Sequence, residues 1–266
     1  SGVPTNFALE AGNYLAVDSN GNVYVGGGFA KQITLQGGSN PDITLTDGGG
    51  ADINYEPYLA KYNSSGDLLW AIGGNSGSPR DLDNFGTGFN AINGIVFDGS
   101  GNPYIFGTFS GTNFLGASVT NSGESDAILV KINPTNGAII WQQTIGGING
   151  ENGLSLGIDG ANNLYIFGNF QSDSITFPTS PTPTTFSNSD DLNDSFIAKY
   201  DSDGTIQWAK QLGGASNILA NSISVTSSGD IAVVGSFFDS VTFSTTPNPT
   251  VLTENESGSG EDGYGG

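Results

Sequence analysis

The feature that most constrains this chain is that it repeats itself. Asp18 to Phe29 reads DSNGNVYVGGGF, Asp98 to Phe109 reads DGSGNPYIFGTF, Asp159 to Phe170 reads DGANNLYIFGNF, and Thr226 to Phe237 reads TSSGDIAVVGSF. A second segment follows the first three: YLAKYNSSGDLLWAIGG from Tyr58, AILVKINPTNGAIIWQQTIGG from Ala127, and FIAKYDSDGTIQWAKQLGG from Phe196. Tyr24, Tyr104, Tyr165 and Ala232 mark one position in the four copies, at spacings of 80, 61 and 67 residues. The length variation therefore lies in the connecting loops. Self-similarity on this scale is the signature of repeat architectures such as solenoids and propellers.

Each segment reads as a β-hairpin. In the first, a short apolar run such as Leu15-Ala16-Val17 meets a Gly/Asn turn and then a strand of the form Tyr-Ile-Phe-Gly-x-Phe. In the second, a strand bearing Lys61, Lys131 or Lys199 turns at Asn63–Gly66, Asn133–Gly137 or Asp201–Gly204 into a strand carrying Trp70, Trp141 or Trp208. Gly and Asn supply the positive φ that such turns need. No window carries a 3.6-residue apolar period, so few helices are expected. Two hairpins make a four-stranded antiparallel sheet, the blade of a β-propeller. The expected fold is all-β and propeller-like, with about four blades and the last incomplete. Much of the glycine, 42 residues in all, then falls in hairpin turns and Gly-Gly strand ends rather than in low-complexity sequence.

The combination of Phe-Ile-Ala-Lys-Tyr, a turn, x-Ile-x-Trp-Ala, Gly-Gly and Asp-x-x-Gly-Asn-x-Tyr-Ile-x-Gly resembles the SBBP repeat, the beta-propeller repeat of bacterial secreted and surface proteins. The resemblance covers nearly the whole chain apart from its loops and ends. It implies a propeller fold and an extracytoplasmic setting, and no catalytic residues. The family name implies seven blades, whereas this sequence has at most four.

Composition narrows the function classes. The 266 residues include 26 acidic and 6 basic ones, a net charge of -20, and no Cys, Met or His. That removes disulfides, zinc fingers, thiol nucleophiles and Ser-His-Asp triads, and no cofactor is expected. A surface so short of cations repels phosphate backbones and anionic lipid, so neither nucleic acid nor membrane insertion is expected. No apolar run reaches the roughly 18 residues of a membrane span. A chain beginning at Ser1 without Met reads as a mature product, giving an expected location that is secreted or at the cell surface.

The ends carry the assembly expectation. Residues 1–12 read as a strand segment, 13–243 as the propeller repeats, and 244–266 as a Thr/Pro- and Gly-rich acidic segment that begins an unfinished blade. Asp262-Gly263-Tyr264 stands where Asp194-Ser195-Phe196 stood one repeat earlier. Three arrangements fit: a fragment of a longer propeller, completion of the last blade by the N-terminal Phe7-Ala8-Leu9, or completion of a neighbour's blade by that segment. The last makes a fibre, with main-chain pairing for affinity and a head-to-tail contact that does not close. The expected function is thus a non-enzymatic secreted structural protein, a subunit of an extracellular filament or matrix whose partners are copies of itself. The alternative is a binding module that presents its loops to glycans or cell-surface proteins.

Other candidate sites are weaker. Asp18, Asn20 and Asn22, with Asp98 and Asp159 in later copies, have the alternating oxygens of a calcium loop. They lack the Gly at position six and the Glu at position twelve that an EF-hand loop uses, so the turn reading is preferred. The recurrent lysines are expected to pack on the indoles across the hairpin, and Tyr24, Tyr104 and Tyr165 to be core. Acids cluster at Asp81 and Asp83, at Asp190, Asp191 and Asp194, and at Glu254 and Glu256, all read as loops without the apolar setting of a general acid. The stretches PTSPTPTT and STTPNPT make Thr179, Thr182, Thr184, Thr185, Thr245 and Thr246 candidates for O-glycans. Asn63, Asn193 and Asn255 begin Asn-x-Ser sequons.

Overall fold

The computed structural model describes residues 10–46, 55–74, 90–189, 192–213, 217–243 and 250–253. Among these residues every regular element is a strand. Each of the first three repeats lays its two hairpins side by side. In the first, β1 (Glu10–Val17), β2 (Val23–Ala30), β5 (Tyr55–Tyr62) and β6 (Leu68–Gly73) pair in that order, antiparallel throughout. Between β2 and β5 the chain leaves the sheet as a short accessory hairpin, β3 (Gln32–Leu35) and β4 (Ile43–Thr46).

The second repeat builds the same sheet from β7 (Ala91–Phe97), β8 (Pro103–Phe109), β11 (Asp126–Ile132) and β12 (Ile139–Ile145), with β9 (Asn113–Phe114) and β10 (Ala117–Ser118) as its accessory pair. The third uses β13 (Glu151–Ile158), β14 (Leu164–Phe170), β17 (Asp194–Tyr200) and β18 (Ile206–Gly213), with β15 (Ser174–Phe177) and β16 (Thr184–Ser187) beside them. The fourth supplies the first hairpin, β19 (Ile218–Val225) and β20 (Ile231–Phe237), and the accessory pair β21 (Ser240–Phe243) and β22 (Thr250–Thr253). β21 pairs with the end of β18, Leu212 opposite Phe243 and Gly213 opposite Thr242, so the third sheet grows to six strands.

Two expected boundaries shift. The ladder from Glu10 opposite Phe29 to Val17 opposite Val23 places the division between residues 12 and 13 inside β1. Likewise β22 pairs with β21 from Ser240–Thr253 to Phe243–Thr250, so part of 244–266 belongs to an accessory hairpin. The Thr/Pro stretch Pro178 to Thr185 is also not simply a loop. Thr184 and Thr185 lie on β16, held by Thr185 opposite Thr176, whose hydroxyls are 3.0 Å apart. Thr34 and Thr44 make the same 3.0 Å pair in the first repeat.

The sheets stack through their inner strands, β7 against β1, β13 against β7 and β19 against β13. Apolar side chains fill each junction. Tyr24, Leu59 and Trp70 meet Ile92, Ile95 and Ile105 between the first two sheets. Tyr104, Phe106 and Leu129 meet Leu156, Leu164 and Phe196 between the second and third. Tyr165 and Phe167 meet Ile218, Ile223 and Val241 at the last. A core distributed over successive sheet junctions, with hairpin-built antiparallel sheets joined through their inner strands, is propeller-like. The two outer faces of the row differ from the junctions. Ile95, Leu156 and Ile223 occupy one register position and are buried against the preceding sheet, whereas their counterpart Leu15 on β1 is 64% exposed.

Candidate functional site

The residues singled out by repetition converge at one rim of the sheets. Asp18 closes the β1–β2 turn: its Oδ1 accepts the backbone N–H groups of Asn20 and Asn22, and its Oδ2 accepts the Asn22 side-chain amide, at 2.8–2.9 Å. Asp98 and Asp159 do the same with Ser100 and Asn102, and with Ala161 and Asn163. Each carboxylate also faces a lysine from the neighbouring hairpin. Lys61, Lys131 and Lys199 lie 3.9, 4.0 and 3.6 Å from Asp18, Asp98 and Asp159. The calcium-like spacing is thus used to cap turns, and the cation beside each carboxylate is an ammonium group. Burial pushes the Asp18 carboxyl up, but the Asn22 and Asn20 hydrogen bonds and Lys61 outweigh it and hold it below its ordinary value.

Each ammonium sits over a tyrosine ring, 5.1 Å from Tyr24, 5.0 Å from Tyr104 and 4.9 Å from Tyr165. The cation–π contact expected at the indole is thus made with a tyrosine instead. Lys and Trp are cross-strand neighbours, as in Lys131 opposite Trp141, but the facing tyrosine is buried beneath the ammonium and offers the better-desolvated π-face. The tyrosines are core, as expected: Tyr24 and Tyr104 are fully buried, with Tyr165 nearly so.

The indoles have another role. Trp70 Nε1 and Lys61 Nζ both donate to the Pro134 carbonyl, at 3.1 and 2.9 Å. Trp141 Nε1 and Lys131 Nζ both donate to the Ser202 carbonyl, at 3.3 and 3.2 Å, joined by the Tyr104 hydroxyl at 3.2 Å. Pro134 and Ser202 are the second residues of the β11–β12 and β17–β18 turns, one sheet further on. Each Lys–Trp pair therefore clasps the turn of the next sheet. The turn glycine completes the fit: a Cβ on Gly137 would lie 3.0 Å from the Trp70 ring, and one on Gly204 3.1 Å from the Trp141 ring. The residues of this clasp are legible in the sequence but its direction is not, because the acceptor is a main-chain carbonyl that no side-chain pattern marks.

A second repeated feature is a buried acid in each of the first three sheets. Glu56, Asp126 and Asp194 face Phe29, Phe109 and Phe170 in the ladders, and all three are buried. Asp194, expected in a loop, opens β17 because the Asp-x-Phe-Ile-Ala-Lys run pairs from its first residue. Next to Asp126 lies Glu151, fully buried, whose two oxygens accept the Gly147 and Ser172 N–H groups at 2.6 and 3.3 Å. Burial raises the Glu151 carboxyl to about 7, the hydrogen bonds from Ser172 and Gly147 opposing it and the Asp126 charge adding to it. The signal in the sequence is an acid five residues before each recurrent lysine, Glu56 before Lys61, Asp126 before Lys131 and Asp194 before Lys199.

The remaining expectations divide by position. Asn63 caps its turn, accepting the Ser65 and Asp67 N–H groups, and Asn193 donates to Asn217. Thr179 is buried with its hydroxyl on the Thr182 carbonyl, whereas Thr182 and Thr185 are exposed. Phe7, Ala8, Leu9, Thr245, Thr246, Asn255, Asp262 and Tyr264 lie outside the described residues, as do Asp81, Asp83, Asp190, Asp191, Glu254 and Glu256. Among the described residues no three Asp or Glu side chains gather as a metal site.

The fourth repeat is the exception to the pattern. In β8 and β14 every residue is buried, and β20, at the same place in its repeat, is largely exposed. Val234 is 64% exposed, against none for Phe106 and 2% for Phe167 at the same register position. The cause is topological. β8 and β14 are each flanked by two strands, whereas β20 pairs with β19 alone among the described residues.

No family model matches the chain. A stretch of 118 residues, 40% of the chain, is 28% identical to an uncharacterized WD repeat-containing protein of Acanthamoeba polyphaga mimivirus. The matched region is 8% of that protein's length, so the chain spans a small part of it. WD repeats build propeller blades, which agrees with the all-β, propeller-like arrangement seen here.

Proposed function

We propose that this chain is a non-enzymatic structural protein of the cell exterior, a propeller of about four blades whose incomplete last blade is finished by a strand from another copy. The observation that carries this reading is β20: an apolar strand, Ile-Ala-Val-Val-Gly-Ser-Phe, with an unpaired outer edge among the described residues. An exposed apolar edge of this length is a template for strand addition. Burying a residue such as Val234 is worth about 1.5–3 kcal/mol, which favours completion of the sheet. The second supporting feature is the opposite face, where Leu15 and Val17 stand exposed on β1. Unlike surfaces at the two ends of a row give head-to-tail contacts, and such contacts extend into filaments when they do not close. The resemblance to the secreted repeat family and the exposed Thr182 and Thr185 support an extracellular setting with O-linked glycans.

Val234→Asp tests the reading. The side chain is exposed in the isolated chain, so the thermal midpoint is expected to move little, while a charge at the centre of the new junction blocks assembly. Light scattering and electron microscopy should find polymers for the wild type and monomers for the variant. Wild-type protein that stays monomeric at millimolar concentration, or a variant that polymerises equally, overturns it.

A further inference from the structure

The Lys–Trp pair of the clasp occurs three times, and among the described residues two of the three copies close on a turn carbonyl. Lys61 with Trp70 and Lys131 with Trp141 each close on a turn carbonyl of the following sheet. Lys199 and Trp208 hold the same cross-strand positions in the third sheet. Lys199 keeps its Asp159 partner and its place over Tyr165, and Trp208 keeps its edge contact with Tyr165 at 6.1 Å. Among the described residues the Trp208 indole N–H meets no acceptor. The lysine side chains record the difference: Lys61 is 9% exposed and Lys131 14%, but Lys199 is 22% exposed.

We infer that Lys199 and Trp208 form a docking socket for one kind of partner: a β-hairpin whose turn reads Asn/Asp-x-x-Gly, with or without one extra residue, and whose first strand pairs antiparallel with β20. The inference rests on the strand-accepting reading of β20 and specifies what enters there. The filled copies set the requirements. The second turn residue must present its carbonyl to both donors, as Pro134 and Ser202 do. The last turn residue must be glycine, for two reasons. It adopts positive φ, +76° at Gly137 and +82° at Gly204, and a Cβ there would press on the indole. The socket continues an interface that the molecule already uses twice, so the partner is a hairpin of this chain's own second repeat type and not a generic apolar strand.

The test uses the full chain and a fluorescein-labelled synthetic peptide of residues 126–147, read by fluorescence anisotropy. Saturable binding is expected, weakened about tenfold in Trp208→Phe and at least tenfold in Lys199→Met. A peptide with Gly137→Val should lose binding to the wild-type chain. Thermal melts of both chain variants, with Lys199→Met expected to melt lower because Asp159 loses its ammonium partner, check that each stays folded at the assay temperature. Absence of peptide binding, or equal binding by wild type and both variants, overturns the socket. Equal binding that Val234→Asp still abolishes leaves the strand-accepting edge standing and removes only the Lys–Trp clasp. Loss of assembly specificity at Val234 removes the broader reading itself.

Discussion

Glu151 shows how one residue couples this fold to pH. Its carboxyl is fully buried beside Asp126, and Asp126 Oδ1 finds no hydrogen-bond donor. Burial raises both carboxyls, Glu151 from 4.5 to about 7. A group that holds its proton more tightly when folded than when unfolded adds stability below its unfolded value. That stability is lost as pH rises toward the folded value. For Glu151 the window runs from about pH 4.5 to about 7, with an upper bound of about 3 kcal/mol at 1.36 kcal/mol per pH unit. The thermal midpoint should therefore fall across that interval, and Glu151→Gln should flatten the fall. A midpoint that rises from pH 5 to pH 7 in the wild type contradicts this assignment. The Asp18, Asp98 and Asp159 caps act in the opposite sense and lower down. Their carboxyls are held below 3.8, so their contribution is present above that value and is lost as pH drops through the still lower folded values.

The same logic of repeated local geometry explains an element that the sequence displays without its reason. Every inner strand carries a bulge at one position: between Gly12 and Tyr14, Ile92 and Gly94, Gly153 and Ser155, and Ala220 and Ser222. Opposite each bulge stands the glycine of the Tyr-Ile-Phe-Gly-x-Phe motif. A Cβ on Gly107 would lie 2.0 Å from the Ala91 carbonyl oxygen, one on Gly168 2.4 Å from that of Asn152, and one on Gly235 2.6 Å from that of Leu219. The bulged backbone leaves no room, which is why a strand interior keeps a residue of poor strand propensity. Gly168→Ala should cost about 1–3 kcal/mol by overcrowding, measured by urea unfolding. An unchanged midpoint would show that the bulge yields. Strands, turns and the order of hairpins were legible because alternation and Gly/Asn turns are local signals. The accessory hairpins were not, although Ile33-Thr34-Leu35, Ile175-Thr176-Phe177 and Val241-Thr242-Phe243 share a pattern. Their strands are four residues long or shorter, and in the third repeat Thr/Pro composition masked the pairing.

At the scale of the whole molecule, the net charge of -20 governs how any two copies meet. Sequence alone shows the imbalance; the structure shows that it is steeper at the surface. Three of the six cations, Lys61, Lys131 and Lys199, are committed to turn carboxylates within the sheets. The rim and loops are thus left with few positive groups against many acids. Two such surfaces repel over the Debye length, roughly 30 Å at 10 mM salt and about 8 Å at 150 mM. In the proposed filament the attractive contributions, strand pairing at β20 and apolar contact near Val234 and Leu15, would act at contact distance and be little screened. Raising sodium chloride from 10 to 150 mM should therefore strengthen polymerisation, and acidification toward the sequence pI of about 4.1 should do the same at low salt. Val234→Asp should remain monomeric under both conditions, because screening removes repulsion without restoring the apolar junction. Filaments that dissolve as salt rises, followed by sedimentation, would mean that charge attraction rather than strand completion joins the copies.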